Sequence, residues 1–244
     1  SMLMGRAFEM APSLDVRTTE IQSMQAVWGK IYEEIAREDV GGDYVLRITA
    51  TLFHGTPVSK PRSAEDSLEV LRSEATEFHK PRDFSARLLT ISRHLTTLAA
   101  NTQLGPVTDI LHSRILAAAL LLAEGVSEQE RGTLLDQWER TTFRIFGLYG
   151  RDARHKVGDY VKLAARIVKN DPATHTFNQI LAALKELGDK YPIDKGVATR
   201  LANQDCYGED VDLCRYVLWR YEEHLATTAG PNATPDPAER AAIW

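Results

Sequence analysis

The sequence predicts an all-α protein, a multi-helix bundle of about nine to ten helices with no significant sheet. Three observations predict it. Apolar residues recur every three or four positions along nearly the whole chain. No stretch combines period-two alternation with β-branched enrichment and hairpin turns. Glycine and proline interrupt the helical pattern at short intervals, which favours helices joined by short loops around one core.

Each element has its own signal. Ile21, Met24, Trp28, Ile31 and Ile35 line one face of a first helix. A shorter apolar helix runs from Tyr44 to Phe53, and Gly55, Pro57 and Pro61 stop it. Ser63, with Asp66 three residues on, reads as the cap of the next helix. Helices over Asp83–Leu104 and Val107–Ala123 follow, parted by Gly105-Pro106. Ser127 and Glu130 have capping-box spacing, and the helix they open passes Trp138 and Phe143 to Phe146, with Gly147 and Gly150 marking its end. The remaining helices are expected over Asp152–Lys169, after Pro172 to Gly188, over Asp194–Asn203, and over Glu209–Thr228 with Val217, Leu218, Tyr221 and Leu225. Trp28, Trp138 and Trp219 occupy apolar helical positions and are expected in the core.

Bulk composition narrows the function classes. The chain has 244 residues, 43% of them hydrophobic and 26% charged, with a net charge of −5 and a pI near 5.8. That length buries a substantial core without staples, and the acidic balance argues against a protein coated in cations for indiscriminate nucleic-acid binding. The longest apolar run, Ile115 to Ala123, is about half of what a bilayer span needs. Two cysteines, Cys206 and Cys214, fit neither a CxxC metal site nor a disulfide scaffold, which points to a reducing cytoplasm.

Catalytic signatures are missing. Histidines at 54, 79, 94, 112, 155, 175 and 224 are scattered, with no HExxH or HxxxH pair on one helical face. There is no GxSxG elbow, no GxxxxGK[ST] and no GxGxxG. No catalytic residue, metal ligand or cofactor of this chain is therefore expected.

The polar signal worth following is "GLYGRDARHKVGDYVKLA", residues 147–164. Between Glu139 and Lys169, arginines at 140, 144, 151, 154 and 166 and lysines at 156, 162 and 169 face only Glu139, Asp152 and Asp159. Cations on successive helix turns can track a phosphate backbone. Arg144, Arg151, Arg154, Lys156 and Lys162 are accordingly the candidates for contact with nucleic acid or with another domain. Two plainer readings stand beside that one: surface pairing of Arg154 and Lys156 with Asp152 and Asp159, or Arg144 and Arg151 holding helix C-terminal carbonyls. "FHGTPVSKPR", residues 53–62, is a weaker candidate, offering Lys60 and Arg62 with Thr56 and Ser59 beside a glycine. Its plain reading is a proline-punctuated turn with solvated charges.

Three longer segments carry a family resemblance. "LLDQWERTTFRIFGLYGRDARHKVGDYVKLAARIV" (134–168) resembles the helical region of GmrSD-type restriction proteins, which join a ParB/sulfiredoxin-like nucleotide-hydrolysing domain to an HNH nuclease. "DYVLRITATLFHGTPVSKPRSAEDSLEVLRSEA" is similar to the stretch before it, and "NQDCYGEDVDLCRYVLWRYEEHLA" with the later "AAIW" to the segment leading into the nuclease. The matched positions are packing and loop patterns. The family's D-G-Q-Q-R-type and I-E-H-I-x-P-Q-type motifs are absent here, so no catalytic residue carries over.

The resemblance implies a helical coupling and DNA-contacting domain of an anti-phage, modification-dependent restriction endonuclease, inactive alone. Its parent would use a nucleotide and a divalent metal, and its partners would be DNA and the flanking catalytic domains. On this expectation residues 1–17 are a tag remnant and lead-in, 18–228 the helical domain, able to form two lobes meeting near 125–150, and 229–244 a linker toward the nuclease. The alternative is a freestanding helical scaffold for protein partners.

Overall fold

The computed structural model describes residues 9–38, 40–54, 58–100, 104, 110–148, 150, 154–189, 193–203, 208 and 211–229. Among these the chain forms ten α-helices and one π-helical segment, with no strand. They are α1 (Leu14–Arg37), α2 (Gly42–Phe53), α3 (Ala64–Glu74), α4 (Lys80–Ala99), α5 (Leu111–Leu121), α6 (Glu128–Thr142) continuing into the π-helix Phe143–Leu148, α7 (Val157–Val168), α8 (Phe177–Asp189), α9 (Ile193–Asn203) and α10 (Val211–Ala229). No described helix is long and apolar enough to cross a membrane.

Local chemistry sets the helix ends. Ser63 and Ser127 both form complete capping boxes, with Asp66 and Glu130 as the reciprocal partners. The bonds from Ser127 hold the Glu130 carboxyl below its ordinary value. Ser13 caps α1 by accepting from the Val16 amide at 3.3 Å. Arg131 closes the other end of α5 by donating to the carbonyls of Leu120 at 3.0 Å, Ala123 at 3.2 Å and Val126 at 3.3 Å. Arg131 lies outside the cationic cluster and is not one of the two arginines, Arg144 and Arg151, considered for such an anchor.

Helix α5 is the axis of the fold. Ile115 through Leu120 are fully buried, since a helix apolar on every side must be covered on every side. Helices α2, α4, α6 and α7 pack around it, α1 lies along α4, and α8 lies along α6. Buried apolar side chains from Ile31 on α1 to Tyr216 on α10 form one cluster. Two polar groups inside it bond across elements: Trp138 Nε1 donates to the Ser113 carbonyl at 3.2 Å, and Tyr160 Oη lies 3.0 Å from Thr142 Oγ1. Trp138 is in the core as expected, whereas Trp28 and Trp219 are half-buried at its edge.

The π-helix was not expected. Gly147, read from the sequence as a helix end, lies inside it. A β-carbon there would sit 2.6 Å from the Phe143 ring, so only glycine lets that ring lie back across its own turn. The ring then meets Tyr216 of α10 with centroids 3.9 Å apart. On the opposite side Phe146 packs edge-on to His112 at 5.4 Å. One added residue in the helical turn thus aims two aromatics at two different elements.

Candidate nucleic-acid interface

The two cationic segments, far apart in sequence, meet in space. Gly158, in the first turn of α7, approaches the loop before α3 so closely that a β-carbon would lie 3.3 Å from the Ser59 carbonyl oxygen. The 58–62 stretch is therefore laid against the start of α7, and the α2–α7 packing holds it there.

Helical geometry then defines what lies beside that contact. At 100° per residue, Gly158, Lys162, Arg166 and Lys169 share a wedge about 80° wide. Tyr160, Val161, Leu163, Ala164, Ala165 and Ile167 are buried on the other sides. Lys162, Arg166 and Lys169 are exposed, as are Lys60 on the loop and Arg154 just before the helix. Asp159 flanks the wedge half-buried, and Arg166 pairs with Asp171 at 3.7 Å. The positive end of the α7 dipole adds to the potential of this edge.

The five principal candidates have separate fates. Lys162 stands on the exposed edge just described, and Arg154 is exposed in the turn just before that helix. Arg144 is drawn into an ion pair with Asp194 at the start of α9, a side-chain partner in place of the helix carbonyl considered above. Arg151 lies outside the described residues.

Lys156 is removed from the surface. It is 8% exposed, adopts left-handed backbone at φ 54°, and its ammonium donates to the Leu187 carbonyl at the end of α8. It ties α8 to the start of α7 instead of facing solvent. Of the weaker pair, Lys60 is exposed, whereas Arg62 is half-buried and works structurally. Its guanidinium donates to the His54 carbonyl at 3.1 Å, its amide to Thr51 Oγ1 at 3.1 Å, and its carbonyl accepts from Arg47 at 2.9 Å.

Arg166 and Lys169 are the residues that the sequence candidates omitted. Their spacing from Lys162 was a usable signal, because i, i+4 and i+7 share a helix face.

The described residues offer little for covalent or metal chemistry. No group of three His, Cys, Asp or Glu among them is placed to hold a metal ion. Cys214 is buried, and Cys206 lies outside the described residues. A crevice lined by Val40, Leu95, Leu98, Ala99 and Arg114 has about 30 Å³ of room, enough for a water and far too little for a nucleotide. His112 is 3% exposed, its Nε2 has no hydrogen-bond partner, and burial lowers its pKa to about 4. It is a neutral ring packed between Phe146 and Tyr160, which suits it to packing and not to proton transfer near neutral pH.

A second polar cluster joins α10 to the body. Glu139 on α6 is 4% exposed. Its carboxylate pairs with Arg220 and accepts from the Tyr216 hydroxyl. Arg220 also lies 4.3 Å from the Trp219 ring centroid and 2.8 Å from Glu223. Burial first, and the Glu223 charge second, push the Tyr216 pKa up, so its hydroxyl stays a donor. Glu139, Tyr216, Arg220 and Glu223 thus form one network that attaches α10 to the body. Compared with known proteins, the chain matches no family model, no curated protein and no solved structure.

Proposed function

We propose that this helical body is the coupling and DNA-contacting part of an anti-phage, modification-dependent restriction endonuclease of the GmrSD type, without catalytic activity of its own. The observation that carries the DNA-contacting part is the meeting of the two cationic segments at Gly158 and Ser59. It gathers Lys60, Arg154, Lys162, Arg166 and Lys169 on or beside one exposed edge of an otherwise acidic chain. Cations spaced along a helix turn by turn suit the repeating charge of a phosphate backbone. They carry no base-reading chemistry by themselves, so the contact positions DNA and leaves recognition of a modified base to other parts of the enzyme.

The assignment to a restriction enzyme rests on the resemblance of residues 134–168 and the segments flanking them. The comparisons with known proteins contribute no support to it. The parent's nucleotide, its divalent metal and its flanking catalytic domains belong to that resemblance and are proposed with it. A continuous core running from α1 to α10 suits a body that transmits position between such domains.

Fluorescence anisotropy of a labelled DNA duplex across a salt series tests the reading. Binding should weaken steeply with salt, and Lys60→Ala, Lys162→Ala and Arg166→Ala combined should lower the salt slope by about 2–3, near 1 per lost phosphate contact. Binding that is absent at low salt, or a slope unchanged in the triple variant, would remove the DNA-contacting role. Nucleotide hydrolysis or DNA cleavage by the purified chain would overturn the inactive assignment.

A further inference from the structure

Helix α10 carries an apolar face that the other described residues leave exposed. Val211, Leu218, Tyr221 and Leu225 are 52%, 45%, 57% and 41% exposed. With Cys214 they stand at intervals of 3, 4, 3 and 4 residues, the a and d positions of a heptad seam. Cys214 is already buried within the chain, so the open part is the other four. The opposite side of α10 is committed to the body through Tyr216 and Arg220. A seam of this period fits a partner helix, since knobs spaced every 3.5 residues need holes with the same spacing.

Charge selects which helix. Arg215 and Glu222 are exposed at successive e positions beside the seam. When two such helices run antiparallel, e positions face e positions, so Arg215 of each copy meets Glu222 of the other. The same register places Leu218 of each copy against Tyr221 of the other, twice by symmetry. Parallel packing would instead set Glu222 against Val217 and stack Tyr221 on itself.

We propose that α10 is a self-complementary docking surface on which a second copy of this chain packs, α10 against α10, antiparallel, through Leu218, Tyr221 and Leu225 with reciprocal Arg215–Glu222 pairs. This does not rest on the DNA-contacting reading, whose residues lie on α7 and the 58–62 loop. The seam is short, so association is concentration-dependent rather than obligate.

Sedimentation velocity of the full chain, from micromolar to hundreds of micromolar, tests it. The wild type should pass from monomer to dimer, and Leu218→Glu should stay monomeric with unchanged helical circular dichroism and melting temperature. Arg215→Glu and Glu222→Arg should each weaken the dimer at least several-fold, and the two together should restore it. A purely structural role for either residue would not produce that rescue. A chain monomeric throughout the series overturns the proposal. So does a dimer indifferent to Leu218→Glu, or one in which the double charge swap is no better than the singles. Loss of melting temperature in Leu218→Glu would show the seam covered from within the chain, and would overturn it too.

Discussion

Lys156 and Lys162 belong to the same run of sequence and are indistinguishable by composition, yet the fold uses them oppositely. Lys156 sits at the N-cap of α7 in left-handed backbone, its ammonium buried against the end of α8. Lys162 is little more than one helical turn into α7, on the side of that helix where Arg166 and Lys169 are also exposed. A buried cation bound to a carbonyl acts on stability, because losing it strands a polar group away from water. An exposed one acts on what approaches the surface and hardly on stability. The contrast extends to regions: the junction of α6, the π-helix and α10 is built from buried polar and aromatic contacts, while the edge of α7 is left open.

The junction should therefore break hardest. Arg220→Ala leaves the buried Glu139 carboxylate without its counter-charge and should cost about 3–5 kcal/mol, read from urea midpoints. The acid response of the core comes next. His112 has a folded pKa of about 4, below its ordinary 6.5, so the unfolded chain binds more protons between those values. Its contribution is fully present above about pH 6.5 and is lost as pH falls toward 4, at up to about 1.4 kcal/mol per pH unit. His94, lowered by burial and then by Arg131, acts in the same direction. Thermal melts from pH 7 to 4.5 on wild type and His112→Phe separate this from the general effect of acid, because the phenylalanine variant should lose the steeper part of the slope.

Gly147→Ala forces a methyl group into the Phe143 ring and should cost about 1–3 kcal/mol by overpacking. Pairing it with Tyr216→Ala in a double-mutant cycle sharpens the account: the two costs should fall short of additive, since both act through Phe143. Lys156→Ala should cost about 1.5 kcal/mol for the lost charged hydrogen bond. Lys156→Gly should cost less, because glycine tolerates the φ of 54° found there. The smallest effect is that of Lys162→Ala, within about 0.5 kcal/mol of wild type.

What was legible in the sequence was local. The capping boxes at Ser63 and Ser127 depend on residues three apart, and both formed as spaced. The all-α class follows from a period repeated along the whole chain. The π-helix was illegible because no residue in "FRIFGL" demands it; it follows from Phe143 meeting Tyr216 across the fold. Helix α7 starts at Val157, later than its amphipathic pattern suggested, because Lys156 turns left-handed to reach Leu187.

In the cationic cluster composition gave position but not use. Charge alone cannot distinguish Lys162 from Lys156, nor foresee that Arg144 would find Asp194. Apolar periodicity marks Leu218, Tyr221 and Leu225 only as positions of a helix, yet they face outward while Tyr216 anchors that helix. Periodicity finds an apolar face and is silent on whether the same chain covers it.

The most direct test of this division is one DNA probe and two single variants. Anisotropy titrations of a labelled duplex at low salt, with melts of the same samples, should compare Lys162→Ala with Lys156→Ala. The account predicts that Lys162→Ala weakens binding and reduces the salt slope by about 1 at unchanged melting temperature. It predicts that Lys156→Ala lowers the melting temperature and leaves binding by the folded protein intact. Lost affinity in Lys156→Ala at full stability, with Lys162→Ala silent in both measurements, would contradict it.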